Sequence, residues 1–187
     1  MKRLGGSISE RGFTLIELMM TVAIIAVLSA LAVFGYTRWV RSAKTAEAGA
    51  MIASIKGQQD TYRAETLRYL DCTNGGMTLT TTYPAGAPSD QKQPWDLNAC
   101  GGNLVCLSFK KLNVQSSGPV YYVYSCEAGP ADGSTVASSG AVSHTYGPAN
   151  DVWMIVRAVG DLNNDGKTSQ YESSSFDSTV WSVNADE

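Results

Sequence analysis

Two short stretches of this 187-residue chain carry side chains that could do chemistry. The first is Gly12-Phe13-Thr14-Leu15-Ile16-Glu17, a glycine followed by an aromatic residue and, four residues later, a carboxylate at the mouth of an apolar run. From Leu18 to Phe34 the polar side chains are Thr21 and Ser29 alone, so the run is long enough to cross a hydrocarbon core of about 30 Å as a helix. A carboxylate at membrane depth costs about 2.5 to 3.5 kcal/mol on insertion scales, so Glu17 calls for a partner. The second stretch is Asp161-Leu162-Asn163-Asn164-Asp165-Gly166-Lys167-Thr168-Ser169-Gln170-Tyr171-Glu172. Oxygen side chains at Asp161, Asn163 and Asp165, a glycine for the sharp turn and Glu172 in the twelfth place follow the spacing of a calcium loop.

Each motif has a plainer reading. Thr14 and Glu17 fit a capping box, in which both side chains satisfy free N–H groups at a helix start. Alternatively, Lys2, Arg3 and Arg11 with Ala30-Leu31-Ala32 suggest a secretory signal peptide. The capping box leaves a carboxylate entering an apolar segment unexplained, and the signal peptide would cut through a helical pattern that continues past Ala32. For the second motif, the preceding run Val152 to Val159 reads as a strand, which excludes an EF-hand. The plain alternative there is a hairpin turn on Asn164-Asp165-Gly166 that binds nothing. Calcium is the one cofactor the sequence suggests, in a role that clamps the last strand.

Gly12-Phe13-Thr14-Leu15-Ile16-Glu17 resembles the processing motif of type IV prepilins and their relatives, the type II secretion pseudopilins. The resemblance implies a peptidase that cuts after Gly12 and N-methylates Phe13, with Glu17 as the assembly carboxylate of the mature helix. The physics agrees, because pairing one subunit's Glu17 with the Phe13 amine of the next removes two isolated charges from an apolar place. Residues 1–12 are then a cleaved leader, 13–36 a membrane or filament-core helix, and 37–187 a globular domain. Implied partners are identical or related subunits through residues 13–36, the prepilin peptidase, and the inner membrane before assembly. The destination is an extracellular pilus or a periplasmic pseudopilus. The chain departs from the family at Phe34, where pilins usually carry a proline, and Gly35 stands beside it.

Charge and cysteine content bound the rest. The chain has 14 basic and 17 acidic side chains, and losing a leader with Lys2, Arg3 and Arg11 against Glu10 makes the product more acidic still, so no nucleic-acid partner is expected. Arg38, Arg41 and Lys44 after the run balance the charges before it, so the positive-inside rule does not choose an orientation. The four cysteines favour an oxidising compartment for the C-terminal part. Tyr36 and Trp39 then mark the outer membrane face.

One helix is expected from about Thr14 to Leu70, roughly 85 Å at 1.5 Å per residue. Ala48, Met51, Ile52, Ile55, Tyr62 and Tyr69 form its core stripe, while Lys44, Glu47, Lys56, Gln59, Arg63 and Glu65 supply polar faces. Gly35, Gly49 and Gly57 are candidate bends. Beyond Asp71 a loop runs to about 102, with a short strand in Met77 to Tyr83. Four better strands follow: Asn103 to Phe109, Pro119 to Cys126, Val152 to Val159 and Ser178 to Val183. The expected class is α+β, a long N-terminal helix packed on an antiparallel sheet of about four strands. A turn near Gln115 to Gly118 would set Cys106 opposite Cys126 and leave Cys72 for Cys100, among three pairings and the alternative of free thiols.

His144 has no nucleophile context, and there is no Gly-x-Ser-x-Gly, phosphate loop or HExxH. Catalysis is therefore not expected. Three functions remain: a major or minor pilus subunit serving attachment or twitching motility, a type II secretion pseudopilin, or a membrane-anchored enzyme or calcium-dependent binding domain.

Overall fold

A computed structural model describes residues 12–73, 81–138 and 140–185. The leader up to residue 11 and most of the Met77 to Tyr83 strand expectation lie outside the described residues. The described residues divide into two compact units, one reaching to Val40 and the other beginning at Arg41.

Helix α1 spans Leu15–Thr66 without interruption. No proline occurs before Pro84, and Gly35, Gly49 and Gly57 all lie inside the helix, so none of them ends it. It stops at Thr66, short of the expected Leu70. Leu67 adopts a left-handed conformation (φ 60°) with its N–H still bonded to the Arg63 carbonyl at 2.8 Å. The buried Gln59 amide then takes over the Leu70 backbone, donating to its carbonyl at 2.7 Å and accepting from its N–H at 2.9 Å. Gln59 thus serves as a core anchor and not as a solvated face.

In the unit that begins at Arg41, the sheet is four-stranded and antiparallel, as expected, in the order β1 (Val123–Gly129), β4 (Trp153–Gly160), β5 (Ser169–Ser174), β6 (Val180–Val183). A two-stranded sheet of β2 (Thr135–Ala137) and β3 (Thr145–Pro148) stands apart in the pairing order. The expected stripe does pack. Ala48, Met51, Ile52 and Ile55 join Tyr122, Tyr124, Cys126, Met154, Val156 and Ala158 in one core. Ile155, which lies between Met154 and Val156 on β4, belongs instead to a second cluster with Val136 and Ala149. Strand β4 is therefore covered on both faces, which is why its sequence is a nearly continuous apolar run instead of an alternation.

Three expectations need correction. Asn103 to Phe109 is not a strand but the start of helix α2, Leu104–Lys111. Asn103 caps it by accepting from the Cys106 N–H at 2.9 Å, Lys110 and Lys111 occupy its last turn, and Val105, Cys106 and Phe109 face the core. The second correction follows from the first. With Cys106 on a helix it has no strand neighbour, and the disulfides are Cys100–Cys106 and Cys72–Cys126, not Cys72–Cys100 and Cys106–Cys126. Gly101 and Gly102, both at positive φ, fold Cys100 back over the first turn of α2, where the Asn103 N–H bonds the Cys100 carbonyl at 2.8 Å. Cys72 is laid along β1 by its N–H to the Cys126 carbonyl at 3.0 Å. Third, Ser169–Ser174, placed by its spacing inside a metal loop, is the strand β5.

Candidate functional site

The candidate site is the N-terminal segment. Gly12 and Phe13 precede α1 without regular structure, and Phe13 is 83% exposed. The capping box is formed. Thr14 donates from its N–H at 2.9 Å and from its hydroxyl at 2.7 Å to Glu17 Oε2, and the Glu17 N–H reaches the Thr14 hydroxyl at 3.3 Å. The plain reading of this spacing is therefore realised within one chain, and it ties the carboxylate to the residue that follows Phe13.

Behind Glu17 the helix shows no sidedness. Leu15, Ile16, Leu18, Met19, Met20, Val22, Ile24, Ile25, Val27, Leu28, Leu31 and Val33 are all exposed. Among the described residues α1 is the helix long and apolar enough to cross a membrane, and none of its apolar window is buried within the chain. A helix that is apolar all round is stable only where lipid or other helices cover it. Tyr36 and Trp39 are exposed at the end of this run.

The second sequence motif divides between a turn and a strand. Asp161 is buried, and its carboxylate accepts from the N–H groups of Gly166 at 3.0 Å and Asp165 at 3.3 Å. Asn163 Oδ1 likewise accepts from the Asp165 N–H at 3.1 Å. Asn164 and Gly166 take positive φ, so the segment closes as a turn on its own backbone.

Glu172 is elsewhere. It lies on β5 opposite Arg157 of β4, fully buried. Its Oε2 accepts from Arg157 Nε at 2.9 Å and Nη2 at 2.8 Å, and from the Ser138 hydroxyl at 2.8 Å; its Oε1 accepts from the Tyr146 hydroxyl at 2.8 Å. The strand carries this carboxylate to Arg157, so Glu172 is not grouped with Asp161 and Asp165. Among the described residues no group of three or more His, Cys, Asp or Glu side chains is placed to hold a metal ion.

Sequence reasoning missed this buried ion pair. A lone arginine in the middle of an otherwise apolar strand, Val152 to Val159, was the available signal, since a charge there needs a partner on the neighbouring strand. His144 stacks on Trp181 with ring centroids 3.9 Å apart and meets Tyr146 edge-on, a packing role. Burial holds the phenols of Tyr122 and Tyr124 far above their usual titration range.

One comparison with known proteins falls on the N-terminal segment. Residues 8–33 match the family described as the prokaryotic N-terminal methylation motif. The type IV major pilin protein PilA of Myxococcus xanthus (strain DK1622) is 39% identical over 65 residues, which is 35% of this chain and 30% of that protein. The chain thus aligns with under a third of the relative's length. No solved structure matches the chain significantly. The chain therefore carries a prokaryotic N-terminal methylation motif and is similar, over about a third of its length, to a type IV major pilin.

Proposed function

We propose that this chain is a structural subunit of a type IV pilus, cut after Gly12, methylated on Phe13, held in the inner membrane by residues 13–36 and polymerised through the same residues. The observation that carries the reading is the helix that is apolar on every side and opens on a carboxylate, because such a surface asks for lipid first and for like helices afterwards. In the filament Glu17 pairs with the Phe13 amine of the neighbouring copy. The exchange from the capping box is favourable because an ionised partner makes a stronger hydrogen bond than an amide or hydroxyl. Attachment or twitching motility is the expected output of such a filament.

Intact-mass analysis of the native polypeptide tests the first step, and a methylated Phe13 terminus is the expected result. A chain that begins at Met1 or beyond Ala32 sinks the proposal. Deleting the gene and scoring surface filaments, twitching and protein secretion separately tests the second step. Loss of filaments with secretion intact is expected, whereas loss of secretion alone makes the chain a pseudopilin.

A further inference from the structure

Where the apolar run ends, the sequence shows three cations on α1: Arg38, Arg41 and Lys44. Within the unit that begins at Arg41, the fold adds another from a distant loop. The Lys92 ammonium lies 5.0 Å from the centre of the Tyr121 ring, and the Lys44 ammonium lies 4.4 Å from the same ring. Tyr121 is itself pinned to α1, since its N–H donates to Glu47 at 2.6 Å. That bond occupies one oxygen of the Glu47 carboxylate, which also faces the Tyr124 hydroxyl at 3.5 Å. Asp90 is the acidic residue nearest to Lys92 in sequence, and among the described residues no ion pair joins Lys44 or Lys92 to a carboxylate. Two lysines from segments 48 residues apart in number thus converge on one aromatic ring.

Their position in the chain identifies what they would meet. Arg41 and Lys44 come two and five residues after Trp39. Lys44 thus follows that aromatic marker in sequence by little more than one helical turn of residues. The polar headgroup layer on each side of a bilayer is about 5 to 7 Å deep. Lysines at this level are attracted to anionic lipid and not to the acidic body of another copy at a distance, because the attraction fades within a Debye length of about 10 Å.

We propose that Lys44 and Lys92, gathered on Tyr121, form a seat for anionic phospholipid headgroups of the membrane that holds the subunit before assembly. This rests on the reading of residues 13–36 as a membrane segment. The seat is vacated when the subunit enters a filament.

The test uses the full processed chain reconstituted into vesicles of phosphatidylcholine alone or mixed with phosphatidylglycerol, with flotation to confirm insertion. Lysines are then labelled with a water-soluble amine reagent and read by mass spectrometry, with exposed Lys110 as the internal reference. Labelling of Lys92 and Lys44 should fall about fivefold in the anionic vesicles, the factor a lysine gains at such a surface, and return in high salt. Tyr121→Phe should keep this protection, and Tyr121→Leu should release Lys92. Equal labelling in both vesicles overturns the proposal. So does protection that follows the protein-to-lipid ratio instead of lipid charge, which would make carboxylates of a neighbouring copy the occupant. A chain that fails to float overturns the membrane reading itself as well, and flotation without protection overturns the seat alone.

Discussion

Two glutamates divide this molecule. Glu17 stands exposed at the head of an apolar helix, where Thr14 holds it through the hydrogen bonds of a capping box. Glu172 is fully buried, with Arg157, Ser138 and Tyr146 filling its lone pairs. The same side chain therefore does opposite work. In the globular unit the buried carboxylate finds its cation on the next strand, and the result is a finished structure. In the N-terminal segment the cation we propose lies outside the chain, on the Phe13 amine of a neighbouring copy.

The comparison breaks most readily at Glu172. Replacing it with Ala leaves the Arg157 guanidinium buried without its carboxylate, with an expected loss of about 3 to 5 kcal/mol in denaturant unfolding. Replacing the pair with Met at 157 and Leu at 172 should recover most of that loss. If the single substitution costs less than about 1 kcal/mol, as an exposed pair would, the contrast between the two glutamates fails.

The disulfides sharpen the picture inside the globular unit. Cys72–Cys126 closes 54 residues and Cys100–Cys106 closes 6. On loop-entropy grounds, losing the first should cost about 4 kcal/mol and the second about 2 kcal/mol. Peptide mapping of the unreduced protein checks the pairing directly, and a Cys106–Cys126 fragment would return α2 to a strand.

Alkaline pH probes the same core. Tyr122 and Tyr124 have raised pKa values in the folded state because burial disfavours the phenolate. Both are protonated in either state below the unfolded value of about 10, so their stabilising effect is fully present there. It is lost as pH climbs from that value towards the folded ones, because the unfolded chain ionises first. Unfolding by circular dichroism should begin above about pH 10 and coincide with the part of the phenolate absorbance that the Tyr122→Phe and Tyr124→Phe variants lack. That part appearing ahead of unfolding would mean that the two rings are wet.

Smaller effects are expected at Asp161 and Glu17. Asp161→Ala removes acceptors for the Gly166 and Asp165 N–H groups, and should cost about 1 to 3 kcal/mol equally in calcium and in chelator. A cost confined to calcium would restore a cation site to the turn. Glu17→Ala should leave the melting of the globular unit within about 0.5 kcal/mol, as for any exposed site remote from a core. Filament yield should nevertheless collapse, and normal yield would refute the amine-pairing mechanism.

Much of this was legible in the residues. The apolar run, its carboxylate and the absence of proline read as one long helix because each local preference agrees, and Ala48, Met51, Ile52 and Ile55 repeat at helical spacing. Strand β4 was equally plain, being rich in β-branched and other apolar residues. Strand β5 was hidden: Ser169-Gln170-Tyr171-Glu172-Ser173-Ser174 has no apolar alternation, and its burial depends on Arg157, on Tyr146, and on Lys56, which donates to the Ser173 hydroxyl at 2.9 Å. Helix α2 was ambiguous because eight residues are too few for periodicity to separate helix from strand, and the Asn103 cap was the better signal.

What the sequence determined by itself is the local and the one-dimensional: where a processing motif stands, which run is too apolar for water, and where backbone can continue as helix. These follow from neighbours within a turn or two. Tertiary structure alone decided which cysteines meet, where Glu172 points and which lysines share Tyr121. Most of these are pairings between segments tens of residues apart, and even the short Cys100–Cys106 link waited on Cys106 being helical. Such pairings are set by sheet register and by the fold's closure, and no short-range preference encodes them.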